Sequence, residues 1–391
     1  MNRVLSRALA VLAVAVLGAP AALRFVPGLP ERPLVGRSAE MAPSPVFTLA
    51  GWFSGSFQEA ALRRANQAFA FRTWFVRLNN QLAFSLWGKA KANGVLIGPG
   101  LFLSDRLHVE AWNGTDFAGE GAIRTKLVAL KRLDAAMASR GGRALLVVVP
   151  GKAMTYPELV PRGTVQPFAP RNREVYARLA PEVGAPFLDL TSRFLKHRRT
   201  SAHPLYSPYG IHWTELGVVV GMQEILSSLE RLTGRELSRI EILGVEDTDQ
   251  LQPVDRDIGD GMNLLFPLPR VTLAYPKVQV VTEGKWRPRA LVVADSNFWN
   301  VFDLPFSRQV FSSLRFWFYR NELHEAGRAT LVPTGQIALE QLLDEADVVL
   351  VLTSDANLPR VGWGFLEDVD RLLTARARRP GEPLGYTPPQ P

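Results

Sequence analysis

A serine between an apolar run and an aromatic segment is the first candidate for chemistry. Residues 290–293 form an unbroken, largely β-branched run, followed by Ala294-Asp295-Ser296-Asn297 and an aromatic segment. This pattern predicts a buried strand, a tight turn and a helix start. A serine there lies at the carboxyl edge of a sheet, beside free N–H groups that can hold an oxyanion. Ser296 is therefore a candidate nucleophile, with capping of the following helix as the alternative role.

Among the five histidines, His212 has the setting of a general base. It lies within the segment 206–217, at a predicted junction between a loop and a helix, which is the same kind of strand-edge position as that of Ser296. An imidazole near neutrality can take a proton from a serine and return it to a leaving group. His203 has a similar setting without the helix. A loop histidine bonded to backbone is the alternative, because only geometry identifies a base.

The sequence patterns on either side of these residues predict an α/β fold. Continuous apolar runs at 144–149, 290–293 and 346–352 are typical of strands covered on both faces. Helical patterns alternate with them, which indicates a doubly wound parallel sheet with its ligand site at the carboxyl ends of the strands. We also expect an N-terminal extension made of helices and a hairpin, and an inserted irregular segment that bears acidic residues from Glu246 to Asp260.

The amino-acid composition limits which kind of protein, functional site and partner can be expected. The chain has 391 residues, of which 47% are hydrophobic, so it can bury a sizeable core. It has no cysteine, which excludes disulfides, thiolate metal sites and cysteine nucleophiles. We expect no cofactor and no metal. The net charge of +8 suits an anionic polymer or a membrane surface, whereas the spread of the basic residues and the lack of a recognition motif exclude nucleic acid as the expected partner.

The N-terminus predicts export. Arg3 and Arg7 precede an apolar run from Ala8 to Leu17, and small residues follow, as in a secretory signal. A Pro-rich stretch separates this segment from the folded part. The predicted organisation is a signal peptide or signal anchor at 1–25, a linker at 26–50, a folded domain at 51–375 and a flexible tail at 376–391.

Four segments resemble, in order, the alginate O-acetyltransferase group (AlgJ and AlgX-like) of the SGNH hydrolase superfamily. They are LVVVPGKAMTYPEL at 146–159, LYSPYGIHWTELG at 205–217, LVVADSNFWN at 291–300 and DVVLVLTSDANL at 347–358. The similarity covers most of the chain, from about Gly51 to Leu358. It implies an SGNH-hydrolase-like, flavodoxin-like fold.

The resemblance also implies a function and roles for residues. The expected activity is acetylation of an anionic or neutral exopolysaccharide through an acetyl-serine intermediate. It would take place in the periplasm, with the N-terminal segment either cleaved or kept as an inner-membrane anchor, and a membrane-bound O-acyltransferase would supply the acetyl group. The nucleophile role falls on Ser296 and the base role on His212. Asn357 matches an asparagine on the oxyanion side, and Asn297 is a further candidate for oxyanion or substrate contacts.

Two positions depart from the family pattern. Ala294 replaces a glycine, and Gly210 replaces the aspartate two residues before His212 that orients the imidazole. An acid from elsewhere must take that role, or a backbone carbonyl does so and the site is a Ser-His dyad. The candidate acids are Asp257, which we prefer, then Asp260 in the same loop, and Asp189 at the end of a predicted strand.

Two other functions stay open. A carbohydrate esterase would use the same serine and histidine with water as the acceptor. A non-catalytic subunit that binds exopolysaccharide or acts as a scaffold would account for the glycine at 210. Trp213, Trp299 and Trp363 could line a sugar groove, although burial in a core is the more frequent role of tryptophan.

Overall fold

The computed structural model describes residues 32–36, 43–67, 71–326, 332–333 and 338–377, with isolated positions 7, 11 and 14. Most of the predicted signal segment and of the tail, and 12 of the 25 linker residues, lie outside the described residues, so the boundaries at 25, 50 and 375 stay predictions. Among the helices that the structure describes, none combines the length and the apolar character needed to cross a membrane.

The chain forms two compact units. The first comprises residues 1–95 and 258–269, and the second comprises residues 96–257 and 270–391. The described helices of the first unit include α1 (Leu49–Ser54), α2 (Ser56–Gln67) and α3 (Arg72–Trp87). Strands β1 (Val95–Ile97) and β2 (Leu103–Asp105) pair as a small sheet. These elements are the helices and the hairpin of the predicted N-terminal extension.

The second unit is built on a seven-stranded sheet with the order β10-β9-β8-β7-β11-β3-β4. Strands β4, β3, β11, β7 and β8 run parallel, whereas β9 and β10 are antiparallel to their neighbours. The predicted doubly wound α/β sheet is confirmed. The strands of the chain after β2 are β3 (Arg143–Val149), β4 (Phe187–Asp189), β5 (Arg239–Thr248), β6 (Leu273–Val281), β7 (Arg289–Ala294), β8 (Ser313–Phe318), β9 (Glu322–Glu325), β10 (Val332–Pro333) and β11 (Val348–Ser354).

Helices cover both faces of this sheet. Along β3, Val147 and Val149 pack in one apolar cluster with α9, while Leu146 and Val148 pack in another with α5 and α7. This alternation follows from the two-residue period of a strand. The helices after α3 are α4 (Arg106–Asn113), α5 (Glu120–Ala138), α6 (Lys152–Thr155), α7 (Asn172–Val183), α8 (Thr191–Thr200), α9 (Glu215–Thr233), α10 (Asp257–Gly261), α11 (Trp299–Phe302), α12 (Ser307–Val310), α13 (Leu339–Glu345) and α14 (Phe365–Ala377).

The inserted segment is more regular than its sequence predicts. β5 and β6 pair antiparallel as a separate two-stranded ribbon, so the first residues of the predicted irregular segment belong to a strand. Most of β5 is exposed, and its acidic residues interrupt the apolar pattern by which a strand is recognised. After β5 the chain makes a 3₁₀ turn at Pro253–Arg256 and enters α10 at Asp257.

A buried lysine ties together the loops at the carboxyl edge of the sheet. Lys152 begins α6 just after β3 and has no exposed surface. Its Nζ donates to the carbonyl oxygen of Leu103, and to those of Ser207 at 2.7 Å and Gly210 at 2.8 Å. Burial lowers the pKa of Lys152 well below its ordinary value, and the charge of Asp257 opposes this shift. The lysine thus connects the end of β3 to the chain segment that leads to His212.

We expect Lys152→Met to lower the free energy of unfolding by about 3 kcal/mol or more, because several buried carbonyl groups lose their donor at once. Urea unfolding of the variant and the wild type measures this difference. As a control, Lys277→Met removes a lysine whose side chain is 70% exposed and should change the stability by less than about 0.5 kcal/mol. Equal stability of the two variants would contradict a structural role for Lys152.

Candidate active site

Ser296 is the first residue of a 3₁₀ turn, Ser296–Phe298, that directly follows β7. The cap of this turn is Asp295, whose Oδ1 accepts the N–H of Asn297 at 3.0 Å. The capping role that was the alternative for Ser296 is therefore taken by its neighbour. Ala294, at the end of β7, does not have a positive φ, so alanine fits where the family pattern has glycine.

Ser296, His212 and Asp257 form a continuous line of hydrogen bonds. The hydroxyl of Ser296 lies 3.0 Å from Nε2 of His212, and Nδ1 of His212 lies 2.8 Å from Oδ2 of Asp257. The other carboxylate oxygen, Oδ1, accepts the N–H of Ile211 at 2.9 Å. Both oxygens of Asp257 are thus fixed. An acid, an imidazole and a hydroxyl in this order can move a proton away from the serine and back.

The loop that carries His212 is fastened to the turn that carries Ser296. Trp213 is fully buried, and its Nε1–H donates to the carbonyl of Asn297 at 2.9 Å. The amide of Asn300 donates in return to the carbonyl of Trp213 at 2.9 Å. Thr214 then caps α9. Trp213 consequently acts as a clamp between the two loops and has no surface that a sugar could contact.

Steric exclusion by neighbouring backbone atoms explains why position 210 is a glycine. A Cβ added to Gly210 would lie 2.6 Å from the carbonyl oxygen of Val254 and 2.9 Å from the carbonyl carbon of Asp255. These are backbone atoms of the turn that leads to Asp257, and they cannot move away as a flexible side chain could. An aspartate therefore does not fit at 210 in this structure, and the segment that excludes it carries the carboxylate that contacts His212.

The other candidate acids have different contacts. Asp189 pairs with Arg173 at 2.6 Å and accepts the N–H of Thr191 at 2.9 Å, which ties it to the start of α8. Asp260 lies three residues after Asp257 in α10 and belongs to the first unit. The structure does not have a Ser-His dyad in which a backbone carbonyl orients the histidine. The group that contacts Nδ1 of His212 is the carboxylate of Asp257.

A further acid of this segment, Asp255, is buried beside the site. Its Oδ2 accepts the hydroxyl of Tyr275 at 2.6 Å. Burial raises the pKa of Asp255 to about 6, helped by the charge of Asp257, while the bond from Tyr275 opposes the shift.

Asn297 and Asn357 both contact Asp295, which is fully buried. Oδ1 of Asp295 accepts the side-chain amide of Asn297 at 3.2 Å, and Oδ2 accepts the N–H of Ser354 at 2.7 Å and the amide of Asn357 at 2.9 Å. The amide of Asn357 also donates to the hydroxyl of Ser354 at 3.2 Å. In these positions the two asparagines hold the end of β7 against the end of β11. Their roles toward an oxyanion stay predictions.

A cavity of about 800 Å³ opens beside Ser296 and His212. It lies at the carboxyl ends of β7, β8 and β11, as expected for a doubly wound sheet. Trp363 lines this cavity, unlike Trp299, which packs against the rings of Phe316 and Phe318. No group of three or more His, Asp or Glu side chains that could hold a metal ion occurs in the described ranges. The other lining residues include Asp105, His108, Lys126, Tyr319, Asn321, Asn357 and Arg360.

His108 is a cavity residue that the sequence did not single out. It is 7% exposed, and its Nδ1 lies 3.4 Å from Oδ1 of Asp355, whose Oδ2 accepts the N–H of Gly151 at 2.9 Å. Burial disfavours the imidazolium, but the carboxylate of Asp355 outweighs this and raises the pKa of His108. The one feature of the sequence that could have indicated the pair of His108 and Asp355 is that Asp355 lies in the same loop as Asn357.

Comparisons with known proteins found a family model and solved structures that are similar to the chain. Residues 101–282 match the family model of the SGNH hydrolase-like domain of the acetyltransferase AlgX. This range contains His212 and Asp257 and ends before Ser296. A comparison with curated proteins gave no match.

Three solved structures are similar to the chain. The O-acetyltransferase domain of Pseudomonas putida AlgJ is 16% identical, with a TM-score of 0.46 over 71% of this chain and 99% of that domain. Pseudomonas aeruginosa AlgX is 12% identical, with a TM-score of 0.41 over 70% of this chain and 66% of that one. Bacillus cereus PatB1 is 13% identical, with a TM-score of 0.41 over 68% of this chain and 96% of that one.

The family model confirms the resemblance that the four sequence segments indicate. Two of them, at 146–159 and 205–217, lie in the matched range. The other two, at 291–300 and 347–358, include β7 and β11 of the same sheet. Residues 101–282 of the chain are therefore similar to the SGNH hydrolase-like domain of the acetyltransferase AlgX.

Proposed function

We propose that the protein is a serine-dependent O-acetyltransferase that acetylates hydroxyl groups of a secreted or cell-surface polysaccharide. The observation that carries the proposal is the line of hydrogen bonds from Asp257 through His212 to Ser296, which ends at the wall of a cavity. The family model supports acyl transfer as the class of reaction.

The first half-reaction forms the acetyl-serine. Oγ of Ser296 attacks the carbonyl carbon of the acetyl donor while Nε2 of His212 takes the hydroxyl proton. The tetrahedral intermediate then expels the oxygen of the donor, which receives this proton from His212. Asp257 accepts the N–H at Nδ1 throughout, so the imidazole keeps the tautomer and the orientation that the transfer needs.

The second half-reaction passes the acetyl group to the polymer. A sugar hydroxyl gives its proton to His212 and attacks the acetyl-serine, and Ser296 leaves with that proton. The negative charge on the carbonyl oxygen in both steps requires N–H donors. We assign this role to the N–H of Ser296, which has no acceptor inside its own turn, with Asn297 or Asn357 as a second donor.

The proposed setting follows from the family resemblance and the N-terminal sequence. We place the protein in the periplasm, with residues 1–25 as its signal peptide or anchor. Its partners there are an anionic or neutral exopolysaccharide and a membrane-bound O-acyltransferase that supplies the acetyl group.

Water as the acceptor in the second half-reaction would make the protein a carbohydrate esterase. The two activities differ in the fate of the acetyl group. Incubation with an activated acetyl ester and a polysaccharide, followed by measurement of free acetate and of acetate bound to the polymer, separates them. Our proposal requires that the polymer gain acetate.

We expect Ser296→Ala to abolish the acetyl-enzyme and to lower transfer by at least about three decades, because the variant has no nucleophile. Intact-protein mass spectrometry after reaction with the activated ester measures the adduct. The stability should change by less than about 1 kcal/mol, because Asp295 rather than Ser296 caps the turn. The control Ser312→Ala removes an exposed hydroxyl and should react like the wild type. Product formed at a normal rate by the Ser296 variant would refute the nucleophile role.

We expect Asp257→Asn to slow single-turnover acetylation of Ser296 by about two to four decades, because the amide does not hold the Nδ1–H of His212 as a carboxylate does. Asp189→Asn and Asp260→Asn are matched controls and should retain most of the rate. Adding Gly210→Asp to the Asp257 variant should not restore activity, since backbone atoms occupy the space of the new side chain. An unchanged rate in the Asp257 variant would instead favour a Ser-His dyad.

A further inference from the structure

In the first unit, helix α3 turns its polar side inward. Arg77 is 2% exposed and donates to the carbonyls of Leu264, at 3.1 Å, and Pro33, at 2.6 Å. The amide of Asn80 donates to the carbonyl of Met262 at 2.8 Å. These bonds fix the rotation of the helix, so the opposite side must face outward.

The outward side of α3 is apolar. Leu78, Leu82 and Leu86 are 43%, 46% and 64% exposed, and Trp87 at the end of the helix is 64% exposed. The spacing of four residues places the three leucines on one face. A helix on the surface of a soluble protein ordinarily has the reverse arrangement, with its apolar stripe toward the core. A contiguous exposed apolar stripe indicates a surface that is covered in use.

The charges around this stripe indicate what covers it. Between residues 43 and 95 the chain has one acid, Glu59, against Arg63, Arg64, Arg72, Arg77, Lys89 and Lys91. Arg72 begins α3, and Lys89 and Lys91 follow its end. Cations that flank a stripe of leucine and tryptophan suit a helix in the interface of an anionic membrane, where apolar side chains enter the acyl region and cations reach the phosphates.

We propose that α3 lies flat on an anionic lipid surface, with Leu78, Leu82, Leu86 and Trp87 in the membrane interface. A second copy of the chain is the weaker occupant. An antiparallel pairing of two such helices would place Arg72 of one beside Lys89 and Lys91 of the other, and these like charges repel. The predicted export of the chain would bring this unit to a membrane. The proposal does not rest on acetyl transfer.

Because the chain contains no cysteine, a single cysteine can be introduced into the full chain and labelled at a chosen position. Single variants Leu82→Cys and Leu86→Cys are labelled with an environment-sensitive fluorophore and mixed with vesicles of phosphatidylethanolamine and phosphatidylglycerol. We expect a blue shift and a several-fold rise in emission at both positions. The control Leu243→Cys labels a leucine that is 66% exposed on β5 and should not respond. The label reports burial of α3 itself, so binding through the N-terminal segment alone gives no signal.

Two outcomes would overturn the proposal. One is emission at 82 and 86 that is unchanged when the protein is bound to vesicles. The other is a blue shift that appears without lipid as the protein concentration rises, which would show that a second copy covers the face. Lys89→Gln with Lys91→Gln should weaken the response to vesicles by about five-fold per cation removed. An unchanged response would refute the role of lipid charge.

Discussion

The hydrogen bond between Nδ1 of His212 and Asp257 is the interaction on which the arrangement of the site depends. Without it the imidazole could rotate away from Ser296, because in the described part of the chain its other nitrogen bonds to the serine hydroxyl alone. Asp257 follows β5 in the chain, after the turn at Pro253–Arg256. The inserted segment is therefore part of the site that contains Ser296 and His212, and the close approach of its backbone to Gly210 explains why that position has no side chain.

Buried polar groups hold the remaining loops at the same edge of the sheet. Asp295 receives hydrogen bonds from the turn after β7 and from the loop after β11. Lys152 binds the carbonyl groups ahead of His212 from the end of β3. Groups of this kind are costly to bury unless they are fully bonded, and once bonded they allow few alternative positions. Ser296 and His212 are thus placed by contacts between loops, while the sheet supplies the common edge.

Features that depend on a short stretch of sequence, such as buried strands and the residues that follow them, could be predicted from the sequence. The continuous apolar runs identify β3, β7 and β11, and the residues at the ends of strands mark Ser296 and the loop with Asn357. Asp257 could be preferred because its loop is rich in acids, but nothing local distinguishes it from Asp260. The pairing of β5 with β6 and the contact between His108 and Asp355 join residues far apart in the chain. Such contacts, and the division into two units after Val95, depend on packing that no local pattern records.

A proton NMR measurement of the protein labelled with ¹⁵N-histidine tests the hydrogen bond between His212 and Asp257 most directly. A proton shared between an imidazole and a carboxylate gives a strongly downfield resonance. We expect such a resonance for Nδ1–H of His212, present in the wild type and in Ser296→Ala and lost in Asp257→Asn. A His108→Gln variant identifies any signal from the pair with Asp355. Persistence of the His212 resonance in the Asp257 variant, or its absence from the wild type, would show that Asp257 does not hold the Nδ1–H of His212.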